Sequence, residues 1–220
     1  NIMGYNVAID GPAGAGKSTI AKLVAKEKGF IYVDTGAMYR GLAIHFPNQG
    51  IQADETEKVI KACRDAEVTI RYENGIQQVY LNGANITSRL RDEEVGNMAS
   101  MTSAIPEVRA KLLELQQNLA RTQNVIMDGR DIGTCVLPNA DVKIFLTASV
   151  ETRAKRRYDE LMAKGVPCNL DEIESDIRER DYRDMTREIA PLKQAEDAVK
   201  VDSSYMTIPE VVDKIVELCR

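Results

Sequence analysis

The stretch Gly11-Pro12-Ala13-Gly14-Ala15-Gly16-Lys17-Ser18, followed by Thr19, matches G-x-x-x-x-G-K-[ST] at every fixed position. Its surroundings constrain the fold as strongly as the motif itself. The apolar run Val7-Ala8-Ile9 precedes it, and Ile20, Leu23 and Val24 recur behind it at helical spacing until Lys28-Gly29. Strand, glycine-rich loop, helix is the context in which backbone N–H groups can wrap a phosphate chain while the following helix points its positive end at the same spot. Gly11 to Thr19 are therefore expected to hold the phosphates of a nucleoside triphosphate, with Lys17 bridging the β- and γ-phosphates and the Ser18 hydroxyl reaching Mg²⁺.

The remaining pattern repeats the alternation. Phe30–Val33, Val125–Met127, Val142–Leu146 and Val199–Val201 read as further short buried strands. Helices are expected over Met38–Phe46, Asp54–Arg64, a long stretch opened by Pro106, 150–164, 170–184 and Ile208–Cys219. Five buried strands alternating with helices predict an α/β chain, a three-layer P-loop fold with a five-stranded parallel sheet covered on both faces. Between Glu67 and Ile86 the character changes to β-type runs separated by Asn74-Gly75 and Asn82-Gly83, which predicts a small antiparallel insertion.

Charge narrows the function. The chain of 220 residues carries a formal net charge of −5, which argues against nucleic acid as the main partner. No apolar run approaches the length that spans a bilayer, and the first residues lack the pattern of a signal peptide, so no membrane association and a cytoplasmic location are expected. The four cysteines are scattered and His45 is the only histidine, so neither a zinc site nor a disulfide framework is expected.

Against this acidic background Arg153, Arg156, Arg157, Arg178, Arg180, Arg183 and Arg187 crowd onto two helical stretches flanking Gly165-Val166-Pro167. Planar guanidiniums suit the charge that phosphoryl transfer spreads over equatorial oxygens. Two helices joined by a Gly/Pro turn can also form a lid that excludes water. The segment Val125 to Thr134, "VIMDGRDIGT", adds Asp128 at the end of a buried strand, then Gly129, Arg130 and Asp131. This is the sheet edge at which α/β proteins bind ligands. Arg130 offers a bidentate grip on phosphate; Asp128 and Asp131 either orient Arg130 or hold a Mg²⁺-bound water. Lys17, Arg130, Arg153, Arg157 and Arg183 are the expected stabilisers of the transferring group.

"IDGPAGAGKST", "DTGAMYR", "DGRDIGT", "ADVKIFLTASVETRAKRR" and "ERDYRDMTREIAPL", in this order and spacing, resemble the bacterial cytidylate kinases over nearly the whole chain. The resemblance implies transfer of the γ-phosphoryl group of ATP, with Mg²⁺, to CMP or dCMP. It implies acceptor-side contacts at Thr35 and Arg40, phosphate clamps at Arg109 and Arg130, readers of the cytosine edge at Ser100 and Arg187, and a ribose contact at Asp184. It further implies a core of 1–36, 106–149 and 188–220, a monophosphate-binding insertion over about 37–105 with its strands at about 67–87, and a lid over about 150–187. A monomer is expected, because both moving parts need free surface.

Overall fold

The computed structural model describes residues 4–220. The chain runs β1 (Asn6–Asp10), α1 (Lys17–Lys28), β2 (Ile31–Val33), α2 (Thr35–Asn48), α3 (Thr56–Asp65), β3 (Val68–Glu73), β4 (Ile76–Leu81), β5 (Ala84–Asn85), α4 (Glu93–Thr102) and α5 (Pro106–Thr122). It continues through β6 (Val125–Gly129), β7 (Val142–Thr147), α6 (Val150–Ala163), α7 (Leu170–Thr186), β8 (Val199–Asp202) and α8 (Ile208–Leu218). Two compact units result: residues up to Tyr32 together with Gln123–Arg220, and Val33–Thr122.

The first unit is built on a five-stranded parallel sheet in the order β2-β6-β1-β7-β8. β1 lies between β6 and β7, so its carboxyl end, and the loop that leaves it, sits at the middle of the sheet edge. Val7 and Ile9 of β1, Ile20 and Val24 of α1, Ile144 and Leu146 of β7 and Ile215 of α8 form one buried cluster. Burying such side chains contributes roughly 1.5–3 kcal/mol each, enough to fix the register that places the loop. Helix α8 opens with a reciprocal cap in which Thr207 and Glu210 satisfy each other's backbone N–H groups. Helices α6 and α7 pack on one another and belong to this unit.

The second unit carries the small antiparallel sheet β3-β4-β5, with Asn74 and Asn82 at φ 53° and 50° followed by glycines at φ 77° and 83°. Paired positive φ values of this kind close two-residue hairpins whose twist matches the strands. Met38, Leu42 and Phe46 on α2, Val59 on α3, Val79 on β4 and Leu112 on α5 are fully buried and make its core. Two features differ from the sequence expectation. Helix α2 begins at Thr35 rather than Met38, because the Asp34 side chain accepts the Ala37 N–H at 3.1 Å and caps the helix early. Helix α4 was not expected; Val95, Ala99 and Thr102 form its buried face, and no side chain caps its start.

Candidate active site

In the first unit the loop between β1 and α1 is set by backbone constraints. A Cβ at Gly11 would stand 1.9 Å from the Leu146 carbonyl oxygen, so only glycine lets the loop leave β1 beside β7. Gly16 takes the left-handed conformation, φ 83°, immediately before α1 starts at Lys17. The loop and the first turn of α1, residues Gly14 to Ile20, line a cavity of about 710 Å³ together with Asp128, Arg156, Glu160, Ser203, Met206 and Ile208. Ser18 and Thr19 are exposed at the start of α1, which directs unsatisfied N–H groups at the same space.

Lys17 is 9% exposed and donates from Nζ to the Pro12 carbonyl at 3.0 Å, curling its ammonium back over the loop. Burial, and after it the Arg130 charge, lowers its pKa to about 8. Tyr32 donates its hydroxyl to Asp128 at 2.6 Å, fixing that carboxylate at the end of β6. Asp131 is buried, and its backbone carbonyl accepts the N–H groups of Cys135 and Val136 as the chain turns into the short π-helical segment Ile132–Val136. Arg130 donates from Nε to the Asp184 carboxylate of α7, so the strand-end arginine and α7 are joined directly.

The arginines of α6 and α7 divide into two kinds. Arg153 is 4% exposed and fully engaged: Nε donates to the Ala148 carbonyl at 2.9 Å, Nη1 to the loop carbonyl of Ala13 at 3.1 Å, and both Nη atoms to Asp181 at 3.0 and 2.7 Å. It ties α6, α7 and the phosphate loop together. Arg157 is exposed and pairs with Glu160, 3.3 Å away, while Arg183 is exposed near the end of α7. Arg187 follows α7 and donates from Nε to the Ala190 carbonyl at 2.7 Å. Arg156 donates to the Ser203 carbonyl and hydroxyl at 2.7 and 3.2 Å and lines the cavity beyond the loop.

Two residues of this unit were not among the expected site residues, although Arg180 stood in the arginine cluster. Arg180 has its pKa lowered by partial burial and by the Arg130 charge, which places it with Arg130, Asp181, Arg183 and Asp184 in one electrostatic group. Its helical spacing from Arg183 and Arg187 was the available signal. Asp10 ends β1, is 4% exposed, and accepts the N–H groups of Ile132 and Gly133 at 2.9 and 2.7 Å. Nothing local in the sequence marks those partners.

The second unit carries the other candidates. Thr35 occupies the first turn of α2, and Arg40 lies one turn on, its guanidinium 3.7 Å from where a Gly36 Cβ would stand. Ser100 is exposed on α4, which packs against α2. Arg109 is half-buried in the first turn of α5. Gln77 of β4 holds the start of α2 by exchanging hydrogen bonds with the Asp34 backbone at 3.0 and 3.1 Å. His45 is 5% exposed and edge-on to Phe46, part of this unit's core.

Among the described residues no group of three or more His, Cys, Asp or Glu side chains could hold a metal ion. Triphosphate enzymes hold Mg²⁺ with one or two protein oxygens and fill the remaining positions with phosphate and water. The Ser18 hydroxyl, beside Lys17 in the cavity, is such an oxygen.

The family model for cytidylate kinase matches residues 7–220. The chain belongs to the cytidylate kinase family. It is 51% identical to the cytidylate kinase of Caldicellulosiruptor saccharolyticus over 97% of this chain and 94% of that one. It is 48% identical to that of Shouchella clausii over 99% and 96%, and 50% identical to that of Ligilactobacillus salivarius over 96% and 95%. In this cytidylate kinase family member the phosphate loop, Arg130 and the α6–α7 pair belong to one unit, and Thr35, Arg40, Ser100 and Arg109 to the other.

Proposed function

We infer that the protein transfers the γ-phosphoryl group of ATP to CMP or dCMP, giving ADP and CDP or dCDP. The observation that carries the reading is the junction of donor loop and second phosphate grip within one unit: Lys17 curled over Pro12, and Arg130 at the end of the strand beside β1, close enough to perturb Lys17. A protein that only bound ATP would have no use for a second guanidinium held there by Asp184.

The steps follow from these side chains. The loop N–H groups and Lys17 neutralise the triphosphate; Ser18 would hold its Mg²⁺, which would supply further neutralisation of phosphate charge. The wall formed by Arg156, Met206 and Ile208 receives the adenine. Arg40, Arg109 and Arg130 grip the acceptor phosphate, whose attacking oxygen is already ionised, so no strong general base is needed. Asp128 and Asp131 orient Arg130 or a metal-bound water. Ser100 and Arg187 read the cytosine edge and Asp184 the ribose; Thr35 contacts the acceptor side. Arg157 and Arg183, both exposed, turn toward the transferring group when α6 and α7 close. Arg153 holds the lid to the loop.

The working divisions are a core of 1–36, 106–149 and 188–220, a monophosphate-binding insertion over 37–105 and a lid over 150–187. We place the enzyme in the cytoplasm as a monomer. All four cysteines are free thiols, as a reducing compartment allows, and no described helix is long and apolar enough to cross a membrane.

Replacing Arg187 with methionine tests the acceptor assignment. KM for CMP rises and KM for ATP stays near its original value in steady-state assays that vary each nucleotide in turn; an unchanged KM for CMP rules the cytosine role out.

A further inference from the structure

Asp10 lies immediately before the phosphate loop, and its two carboxylate oxygens are divided between two consecutive amides: Oδ1 accepts the Ile132 N–H at 2.9 Å and Oδ2 the Gly133 N–H at 2.7 Å. Those amides begin the turn that follows Arg130 and Asp131. Packing leaves this turn little slack. A Cβ at Gly133 would stand 3.3 Å from Oδ2 of Asp10 and 3.2 Å from the Lys143 side chain, and one at Gly129 would stand 3.0 Å from the Ile132 side chain. Strand pairing sets Asp10 directly opposite Gly129. One buried carboxylate thus joins the strand that feeds the donor loop to the turn that carries the acceptor-side arginine.

We propose that Asp10 is a positioning residue for phosphoryl transfer, whose bidentate hold on the Ile132 and Gly133 amides fixes Arg130 and Asp131 relative to the phosphate loop. The proposal rests on the reading of Arg130 as a phosphate grip. A carboxylate is the side chain suited to the task, because it presents an acceptor to each N–H, whereas an amide of the same shape presents one acceptor and one donor. Leaving one buried N–H facing a donor frees the turn to shift, and a displacement of about 1 Å at the reacting groups can cost about 10²-fold in rate.

The charged groups facing Asp10 are Lys17 of α1 and Asp131 of the turn, with the stem of Lys143 from β7 across Gly133. The Lys143 ammonium is committed elsewhere, to the Pro138 carbonyl at 2.6 Å and Asp197 at 2.8 Å. Burial raises the Asp10 pKa to about 6, although the Gly133 and Ile132 amides pull it the other way. Protonation removes one of the two acceptors, so the grip should loosen as pH falls through this range.

The test uses the full chain and two readouts. In ¹⁵N-labelled wild-type protein the Ile132 and Gly133 amide resonances should titrate together with a midpoint near pH 6, and in Asp10→Asn they should lose that transition. At pH 7.5, where CMP turnover is measured, Asp10→Asn should lower kcat about 10²-fold with KM for ATP within about threefold of wild type. A folded variant with wild-type kcat overturns the proposal. Should the variant not fold, hydrogen exchange in the wild-type protein decides, and Ile132 and Gly133 amides that exchange as fast as solvent-exposed ones overturn it equally. Absence of CMP turnover in the wild-type protein would instead remove the functional reading, and the amide titration would still report whether Asp10 holds the turn.

Discussion

The phosphate loop and the α6–α7 pair carry the two sets of charges in the first unit, and they are held in opposite ways. At the loop, Lys17 and Asp10 are buried and each is pushed toward its neutral form: Lys17 down to about 8, Asp10 up to about 6. On α6 and α7 most arginines are exposed, and two of them pair with carboxylates of the same two helices: Arg157 with Glu160 at 3.3 Å, and Arg178 with Glu151 and Glu174 at 3.0 and 2.9 Å. The loop holds its charges at a cost in stability, whereas Arg157 and Arg178 are screened by solvent and by neighbouring carboxylates. The lesson is that burial, and not the number of charges, marks where a charge is held in place ahead of a ligand.

The sign of that cost follows from each shift. Lys17 has a folded pKa below its unfolded one, so its burial destabilises the fold at neutral pH, and the loss is recovered as pH rises from about 8 to 10.5. Asp10 has a folded pKa above its unfolded one, so the fold is favoured below pH 3.8 and that advantage is lost as pH rises through about 6. Each costs on the order of 2 to 3 kcal/mol near pH 7. Such a cost is expected where binding needs a charge in place before the substrate arrives.

The largest expected effect breaks the loop side of the comparison. Lys17→Met should lower kcat by about 10²–10³-fold, as loss of a charge-stabilising donor does, while leaving the melting temperature at pH 7 unchanged or raised, because it removes a buried charge. A fall in melting temperature would contradict the account of Lys17. Next comes the buried arginine of α6. Asp181→Asn strips the bidentate partner from buried Arg153 and should destabilise the protein by about 3 kcal/mol in urea titrations. A smaller effect sharpens the protonation argument. Bound triphosphate should keep Lys17 protonated, so ATP affinity should be flat below pH 7 and fall about tenfold between pH 7 and 9, with proton uptake on binding near pH 8 visible by calorimetry in buffers of different ionisation enthalpy. The smallest effect is on the exposed side: Arg178→Ala should leave both melting temperature and kcat near wild type.

Legibility in sequence followed the same divide. The loop was readable because its glycines, Lys17 and Ser18 are consecutive and their flanks are periodic, and the five strands were readable because each is a short apolar run. The capping of α2 by Asp34 depends on a single hydrogen bond to Ala37, which moved the helix start by three residues. Helix α4 escaped because its apolar positions are few and its first turn carries no side-chain cap. The crowd of arginines announced a phosphate-handling surface, but which of them is locked depends on Asp181, 28 residues from Arg153, and sequence spacing says nothing of that pairing. Asp10 is the extreme case, since its partners lie 122 and 123 residues away.

The central claim is that a donor loop of wide occurrence is coupled here to an acceptor site for cytosine nucleotides. Its most direct test is ADP release from Mg-ATP measured across CMP, dCMP, UMP, AMP and GMP. The account predicts that CMP and dCMP give the highest kcat/KM. Best turnover with AMP, or ATP binding with no monophosphate-dependent turnover, would contradict it.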